Sequence, residues 1–201
     1  MRLIYTPSSP FARKVCVTAH EKHLFDQIEL EPCSAFADLE RVQQVNPIGK
    51  IPVLILHDGT PLYDSTVICD YLDDIGGGDR LTPASGMPHW LARRAQALAD
   101  DTLTIAVALT MEYRRPEEHR SATAIDRAHQ QLAMTLAKMD EESVQFPKTL
   151  CMVQIAFGCV LGYLDFRHAD IAWRPKHPQL LAWFTQFSQR PSMLATVPRN
   201  L

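Results

Sequence analysis

The chain has 201 residues, 46% hydrophobic and 21% charged, with a formal net charge of −3. That is ordinary globular composition for one large or two small domains. Charge is uneven: residues 1–80 carry 7 Lys+Arg against 12 Asp+Glu, net −5, and residues 81–201 carry 13 against 11, net +2. Neither half has the basic face of a nucleic-acid binder, so no nucleic-acid partner is expected.

Met1-Arg2-Leu3-Ile4-Tyr5 is too short an apolar run for a secretory signal. The longest uncharged run, Thr149 to Leu164, falls short of the ~20 residues of a membrane span and predicts a buried helix. A cytoplasmic protein with no membrane partner is expected. Cys16, Cys33, Cys69, Cys151 and Cys159 are odd in number and form no Cys-x-x-Cys pair, which suits buried reduced thiols. His20-Glu21-Lys22-His23 lacks the i, i+4 spacing of a zinc helix, and no metal is expected.

In chain order, residues 2–5 (RLIY) predict a strand, and Thr6-Pro7-Ser8-Ser9-Pro10 breaks it. Residues 10–22 predict a helix with Pro10 in its first turn, where a missing N–H costs nothing. Residues 26–30 (DQIEL) alternate as a second strand, giving β-α-β and hence a parallel pair. A short helix at 37–44 and a turn at Asn46-Pro47-Ile48-Gly49-Lys50 follow. Residues 52–56 predict a strand that turns at Asp58-Gly59 into 60–63. Asp64-Ser65, both good N-caps, open a helix to about Asp74, ended by Gly76-Gly77-Gly78.

Beyond a linker rich in Gly, Pro and Ser, strand signals stop. Leu91, Ala95, Leu98, Thr102, Ile105 and Leu109 form a core-facing helical stripe, and Ile125, His129, Leu132, Leu136 and Met139 repeat it. Two antiparallel helices joined near Arg115-Pro116 are expected. A largely apolar helix at 152–166 and shorter ones near 178–189 and after Pro191 complete the chain.

The order β-α-β-α-β-β-α is that of the thioredoxin fold. Where thioredoxins carry Cys-x-x-Cys, this chain reads Ser9-Pro10-Phe11-Ala12. Lys50-Ile51-Pro52 resembles the cis-proline step of that superfamily, and Asp64-Ser65 the acidic-Ser pair opening its third helix. The strings SSPFARKV, NPIGKIPVL and LYDSTVICDYL, with GCVLGYLDFR and RPSMLATVP further on, resemble the cytosolic glutathione S-transferase family, in particular a bacterial serine-type member. The likeness covers essentially the whole chain. It implies an α/β thioredoxin-like N-terminal domain (1–77) that binds glutathione, a linker (78–86) and an all-helical C-terminal domain (87–201). A homodimer is expected from the resemblance alone.

The resemblance assigns roles that elementary chemistry supports. Ser9, at the start of the first helix, is the candidate catalytic residue, donating a hydrogen bond to the glutathione thiolate; Ser8 competes for that role, and Ser9 equally suits a plain N-cap. No Gly-x-Ser-x-Gly elbow surrounds Ser9, which argues against a covalent nucleophile. Ile51, ahead of a cis Pro52, would present its backbone N–H and C=O to the cysteinyl part of glutathione as an added strand does. Ser65 suits the γ-glutamyl carboxylate and Asp64 its ammonium, and Lys50 the glycyl carboxylate. Phe11 and Tyr113 are candidate contacts for a hydrophobic electrophile between the domains. The helix near 152 departs from the family by placing Cys151 and Gln154 where a Ser/Thr-x-x-Asp capping box is usual, which puts its stability in doubt.

The implied activity is glutathione conjugation. A glutathione-dependent disulfide reductase or peroxidase, and a non-catalytic glutathione-binding regulator, remain open at this point.

Overall fold

The computed structural model describes residues 1–34 and 37–201. It divides into two compact units, one of Met1–Ala84 with Pro191–Leu201, the other of Ser85–Arg190.

In the first unit, strand β1 (Arg2–Tyr5) leads into helix α1 (Pro10–Glu21), then β2 (Glu29–Pro32), α2 (Leu39–Gln43), β3 (Val53–Ile55), β4 (Pro61–Leu62) and α3 (Ser65–Ile75). The sheet runs β2-β1-β3-β4, with β1 parallel to β2 and antiparallel to β3, and β3 antiparallel to β4. This is the mixed thioredoxin-like sheet. Ile4, Val53 and Ile55 pack on one face with Cys33 and with Val42 of α2. Alternation along β1 leaves Leu3 and Tyr5 for the opposite face. Helices α1 and α3 pack on each other, burying Ala12, Val15, Cys16 and Ala19 from one and Ile68, Cys69 and Leu72 from the other.

The second strand begins later than the 26–30 alternation predicts. Gln27 and Ile28 N–H close on Leu24 and Phe25 C=O in a 3-10 turn over Phe25–Gln27, so pairing starts when Glu29 N–H reaches Met1 C=O.

The expected linker is also shorter. Asp73, 5% exposed, accepts the N–H of Leu81 at 2.9 and 3.1 Å and of Thr82 at 3.2 Å. Lys22, 2% exposed, reaches both Asp73 at 3.0 Å and the Asp79 C=O at 3.0 Å. These bonds tie residues 79–82 to the first unit. Gly76 lies against the Lys22 stem: a Cβ there would stand 2.6 Å from Lys22 Cβ and 2.8 Å from Leu72 C=O.

The chain end departs from the expected 87–201 domain. Helix α8 (Pro191–Ala195) lies along α1, where Arg13 Nη2 donates to Met193 C=O at 3.0 Å and Ser192 Oγ to Glu21 Oε1 at 2.5 Å. Met193 is buried there.

The second unit is helical: α4 (Gly86–Tyr113), α5 (Ala122–Ser143), α6 (Met152–Arg167) and α7 (Pro178–Phe187). Helix α4 packs on α5 and α6, and α5 on α7. The buried face of α4 is Ala95, Gln96, Ala99, Thr102, Leu103, Ala106, Leu109 and Thr110. The predicted stripe is therefore partly displaced: Leu98 and Ile105 are only half-buried and Leu91 is 48% exposed. On α5, Leu132, Leu136 and Met139 are buried as the stripe predicts, while Ile125 and His129 are half-buried. Helix α6 is apolar around its circumference and almost wholly buried. At its start Gln154 Oε1 accepts the Cys151 N–H at 2.9 Å, and the Cys151 sulfur takes the Gln154 N–H, so a capping box forms despite the cysteine.

Candidate functional site

The strand register fixes where the singled-out residues meet. Ile4 pairs with Val53 and Leu54 with Leu62, both antiparallel. The C-terminal end of β1, the N-terminal end of β3 and the C-terminal end of β4 therefore share one edge of the sheet. From that edge spring the turn carrying Ser9 into α1, the Lys50-Ile51-Pro52 entry to β3, and the Asp64-Ser65 entry to α3.

Ser9 is the N-cap of α1, with extended backbone (φ −81, ψ 121). Its N–H donates to Thr6 C=O at 2.9 Å, its C=O accepts from Arg13 N–H at 3.0 Å, and its Oγ accepts from Ala12 N–H at 3.3 Å. Accepting that bond leaves the one O–H of Ser9 as a donor. The first turn of α1 contains no acidic residue, so the positive end of the helix dipole is unopposed within it. The plain-cap role and the donor role are thus compatible in one hydroxyl.

The Ile51–Pro52 peptide is cis. Ile51 is half-buried against the cluster of Ile4, Cys33, Val42, Val53 and Ile55, and ladder pairing begins only at Val53. Its position owes much to Asn46, a residue that sequence reasoning read only as part of a turn. Asn46 is 1% exposed, its Nδ2 donates to Lys50 C=O at 2.8 Å, and its Oδ1 accepts from Ile48 N–H at 3.1 Å. The side chain of Asn46 thus spans the 46–50 turn and holds the residue next to Ile51. Gly49 takes φ +72 within that turn, and a Cβ there would lie 2.6 Å from Leu39 Cδ1. Lys50 is exposed.

Asp64 caps α3 through Oδ1, which accepts Thr66 N–H at 2.9 Å, leaving its second carboxylate oxygen on an exposed side chain. Ser65 is the first helical residue and is 4% exposed. Its N–H is one of the helix-start donors that α3 cannot use internally.

Phe11, half-buried, stands in the first turn of α1. Tyr113 ends α4, its hydroxyl 2.9 Å from His129 Nε2. Burial pushes the Tyr5 phenol above its ordinary range, with the Arg199 guanidinium opposing that shift. Tyr5 lines a cavity of about 90 Å³ together with Arg13, Cys16, Phe25 and Arg199. Burial also pushes the Cys33 thiol up, a poor setting for a thiolate nucleophile. Among the described residues no group of three or more His, Cys, Asp or Glu is placed to hold a metal ion, and no helix is long and apolar enough to cross a membrane.

Comparison with known proteins matches this geometry to a family. The glutathione S-transferase N-terminal domain model matches residues 3–80 and the C-terminal domain model residues 122–186. The chain is 28% identical to the uncharacterized GST-like protein YibF of Escherichia coli (strain K12), over 98% of each chain. A glutathione transferase family member from Pseudomonas fluorescens Pf-5, solved with bound glutathione, superposes with a TM-score of 0.94 at 39% identity, over 98% of each chain. A glutathione S-transferase from Methylobacillus flagellatus KT, solved with glutathione bound, gives 0.89 at 37% identity, over 98% of this chain and 99% of its own. With both domain models matched in order and solved relatives aligned end to end, the chain belongs to the glutathione S-transferase family.

Proposed function

We propose that the protein binds glutathione, holds its thiol as the thiolate and adds it to an electrophilic, hydrophobic small molecule. The observation that carries this reading is the convergence of Ser9, Ile51-Pro52 and Asp64-Ser65 on one sheet edge, in a chain 39% identical to a relative solved with glutathione.

The energetics are sufficient. A free thiol ionises near pH ~8.5, and lowering that by ~2 units requires ~2.7 kcal/mol in favour of the anion. The helix start supplies ~0.3–2 kcal/mol, and a hydrogen bond to the charged sulfur ~1.5–3 kcal/mol. Ser9 therefore needs no partner base, and as a donor it is not consumed. In this reading Ile51 pairs its backbone with the cysteinyl part. The α3 start with Ser65 takes the γ-glutamyl carboxylate, the outer oxygen of Asp64 takes the ammonium, and Lys50 the glycyl carboxylate. Phe11 and Tyr113 are each candidate contacts for the electrophile. Glutathione is co-substrate, and the chemistry calls on no metal. A cytoplasmic homodimer is part of the proposal; Met87 and Trp90, 66% and 65% exposed at the start of α4, offer apolar surface for a second copy, which light scattering tests.

The decisive experiment is calorimetry with glutathione, followed by turnover on a panel of electrophiles, disulfides and peroxides. Saturable binding with conjugation of electrophiles is expected. Absence of glutathione binding refutes the reading, and turnover confined to disulfides or peroxides replaces conjugation by reduction.

A further inference from the structure

The turn that delivers Ser9 is held by a side chain that precedes the Ser8-Ser9-Pro10-Phe11 string. Strand pairing between β1 and β2 continues one residue past β2, where Cys33 N–H donates to Tyr5 C=O at 2.8 Å. The next rung is made by a side chain: Thr6 Oγ1 donates to Cys33 C=O at 2.5 Å. The C=O of the same Thr6 accepts the Ser9 N–H at 2.9 Å, closing the four-residue turn Thr6-Pro7-Ser8-Ser9. Ser9 is thus referenced to the sheet through one residue, bonded by its hydroxyl to the end of β2 and by its carbonyl to the helix cap. Pro7 fixes the turn internally through its locked φ. The Thr6 hydroxyl adds a bond from the turn to the end of β2. Thr6 is β-branched and restricted at χ1, so holding that hydroxyl in place costs little side-chain freedom.

We infer that Thr6 is a positioning residue for the thiolate site, its hydroxyl setting where the Ser9 O–H points. The inference rests on the proposal that Ser9 donates to bound glutathione thiolate. A charge-assisted hydrogen bond is short and weakens sharply with misplacement, so loss of the pin should surface as a less acidic bound thiol rather than as lost glutathione binding.

The test is spectroscopic titration of the thiol in the complex of full-length protein with glutathione, for wild type, Thr6→Val, Thr6→Ser, Ser9→Ala and the Thr6→Val/Ser9→Ala double variant. Calorimetry supplies the affinities and thermal melts the folding control. Ser9→Ala should raise the bound thiol's pKa. Thr6→Val should raise it in the same direction, lowering the thiolate fraction at pH 7 about threefold or more, with affinity within several-fold. Thr6→Ser, which keeps the hydroxyl, should restore it, and the double variant should match Ser9→Ala alone, because the two act as one unit.

A wild-type thiol pKa in Thr6→Val beside a raised one in Ser9→Ala overturns the role of Thr6 and leaves that of Ser9 standing. An unchanged pKa in Ser9→Ala overturns the Ser9 reading and this inference with it. A double variant shifted beyond Ser9→Ala overturns the inference too, since Thr6 would then act independently of Ser9. Thr6→Ala carries the same test should Thr6→Val fail to fold.

Discussion

Asp73→Ala should be the most destabilising single polar substitution in the first unit. Asp73 is 5% exposed, and its two oxygens take four bonds: one from Lys22 Nζ at 3.0 Å, two from Leu81 N–H and one from Thr82 N–H. Removing the carboxylate leaves the Lys22 ammonium, itself 2% exposed, beside the uncharged Asp79 C=O. Breaking a buried pair in this way costs ~3–5 kcal/mol, and two buried N–H groups are orphaned besides. For a chain of this size each kcal/mol moves the melting midpoint by ~2–4 °C, so a fall of ~6–20 °C is expected. Lys22→Met should cost less, ~1–3 kcal/mol, because it keeps the buried stem and leaves Asp73 its backbone donors. Adding Lys22→Met to Asp73→Ala should then recover stability relative to Asp73→Ala alone, since no unpaired ammonium remains. Circular dichroism melts of the three variants measure all of this. A midpoint for Asp73→Ala within ~2 °C of wild type, or a double variant worse than Asp73→Ala, would show that the pair is not the fastener described here.

Ser65→Ala should weaken glutathione binding by ~1–3 kcal/mol, by leaving a ligand carboxylate short of a donor; unchanged affinity in calorimetry would move the γ-glutamyl end elsewhere. Cys151→Ser should raise stability by up to ~1 kcal/mol, since a hydroxyl caps better than the thiol that already closes the box, with glutathione affinity unaltered; a lower melting midpoint would show that the sulfur's packing outweighs its capping. Gly76→Ala should cost ~1–3 kcal/mol, because the added methyl must displace the Lys22 stem or the Leu72 carbonyl, and an unchanged melt would refute the close approach. The pH dependence should carry the mark of His168, which is 1% exposed and whose pKa burial lowers, its Nε2 2.9 Å from both Ala106 C=O and Thr110 Oγ1, with no partner at Nδ1 among the described residues. Its folded pKa lies below 6.5, so the unfolded chain binds the proton first and stability falls as pH drops below about 6.5, by at most ~1.4 kcal/mol per pH unit for this one group. Denaturant melts from pH 7.5 to 5 should show a shallower decline in His168→Gln, and parallel curves would remove His168 from the account.

Much of the architecture was legible because it is written in short-range pattern. The breaker cluster at residues 6–10, the caps at Ser9 and Asp64, and the uncharged run before Asp165 each act within a few residues, and α1, α3 and α6 lie close to where they predict. The start of β2 is misleading for the same reason: Asp26 and Gln27 open the alternating 26–30 stretch, but whether they pair or turn depends on what Met1 offers across the sheet. The first turns of α4 show the opposite limit. Leu91 has the right spacing to be core, yet spacing carries no information on whether a neighbouring helix reaches that far, and it is exposed.

The site was legible at the level of which residues meet, not of what holds them. Ser9, Ile51-Pro52 and Asp64-Ser65 are motif residues, and the strand register alone is enough to bring them to one edge. Their supports lie at distances a motif does not span. Thr6 finds the Cys33 carbonyl 27 positions away, and Asp73 fastens Lys22 from 51 positions away. Arg13 holds Met193 across 180 residues, which is why the chain end belongs to the first unit although its sequence continues the helical run. What these supports share is a polar group that pairs with backbone. Such pairing satisfies the main-chain groups left over where an element ends, and an Asn, Thr or Asp at an element boundary is chosen as readily for local turn chemistry. Asn46 illustrates the ambiguity, since its bond to Ile48 N–H is the local kind and its bond to Lys50 C=O is the one that orients the entry to β3. The sequence marks such a residue as polar and turn-forming, and only the fold distinguishes the one that merely bends the chain from the one that aims it.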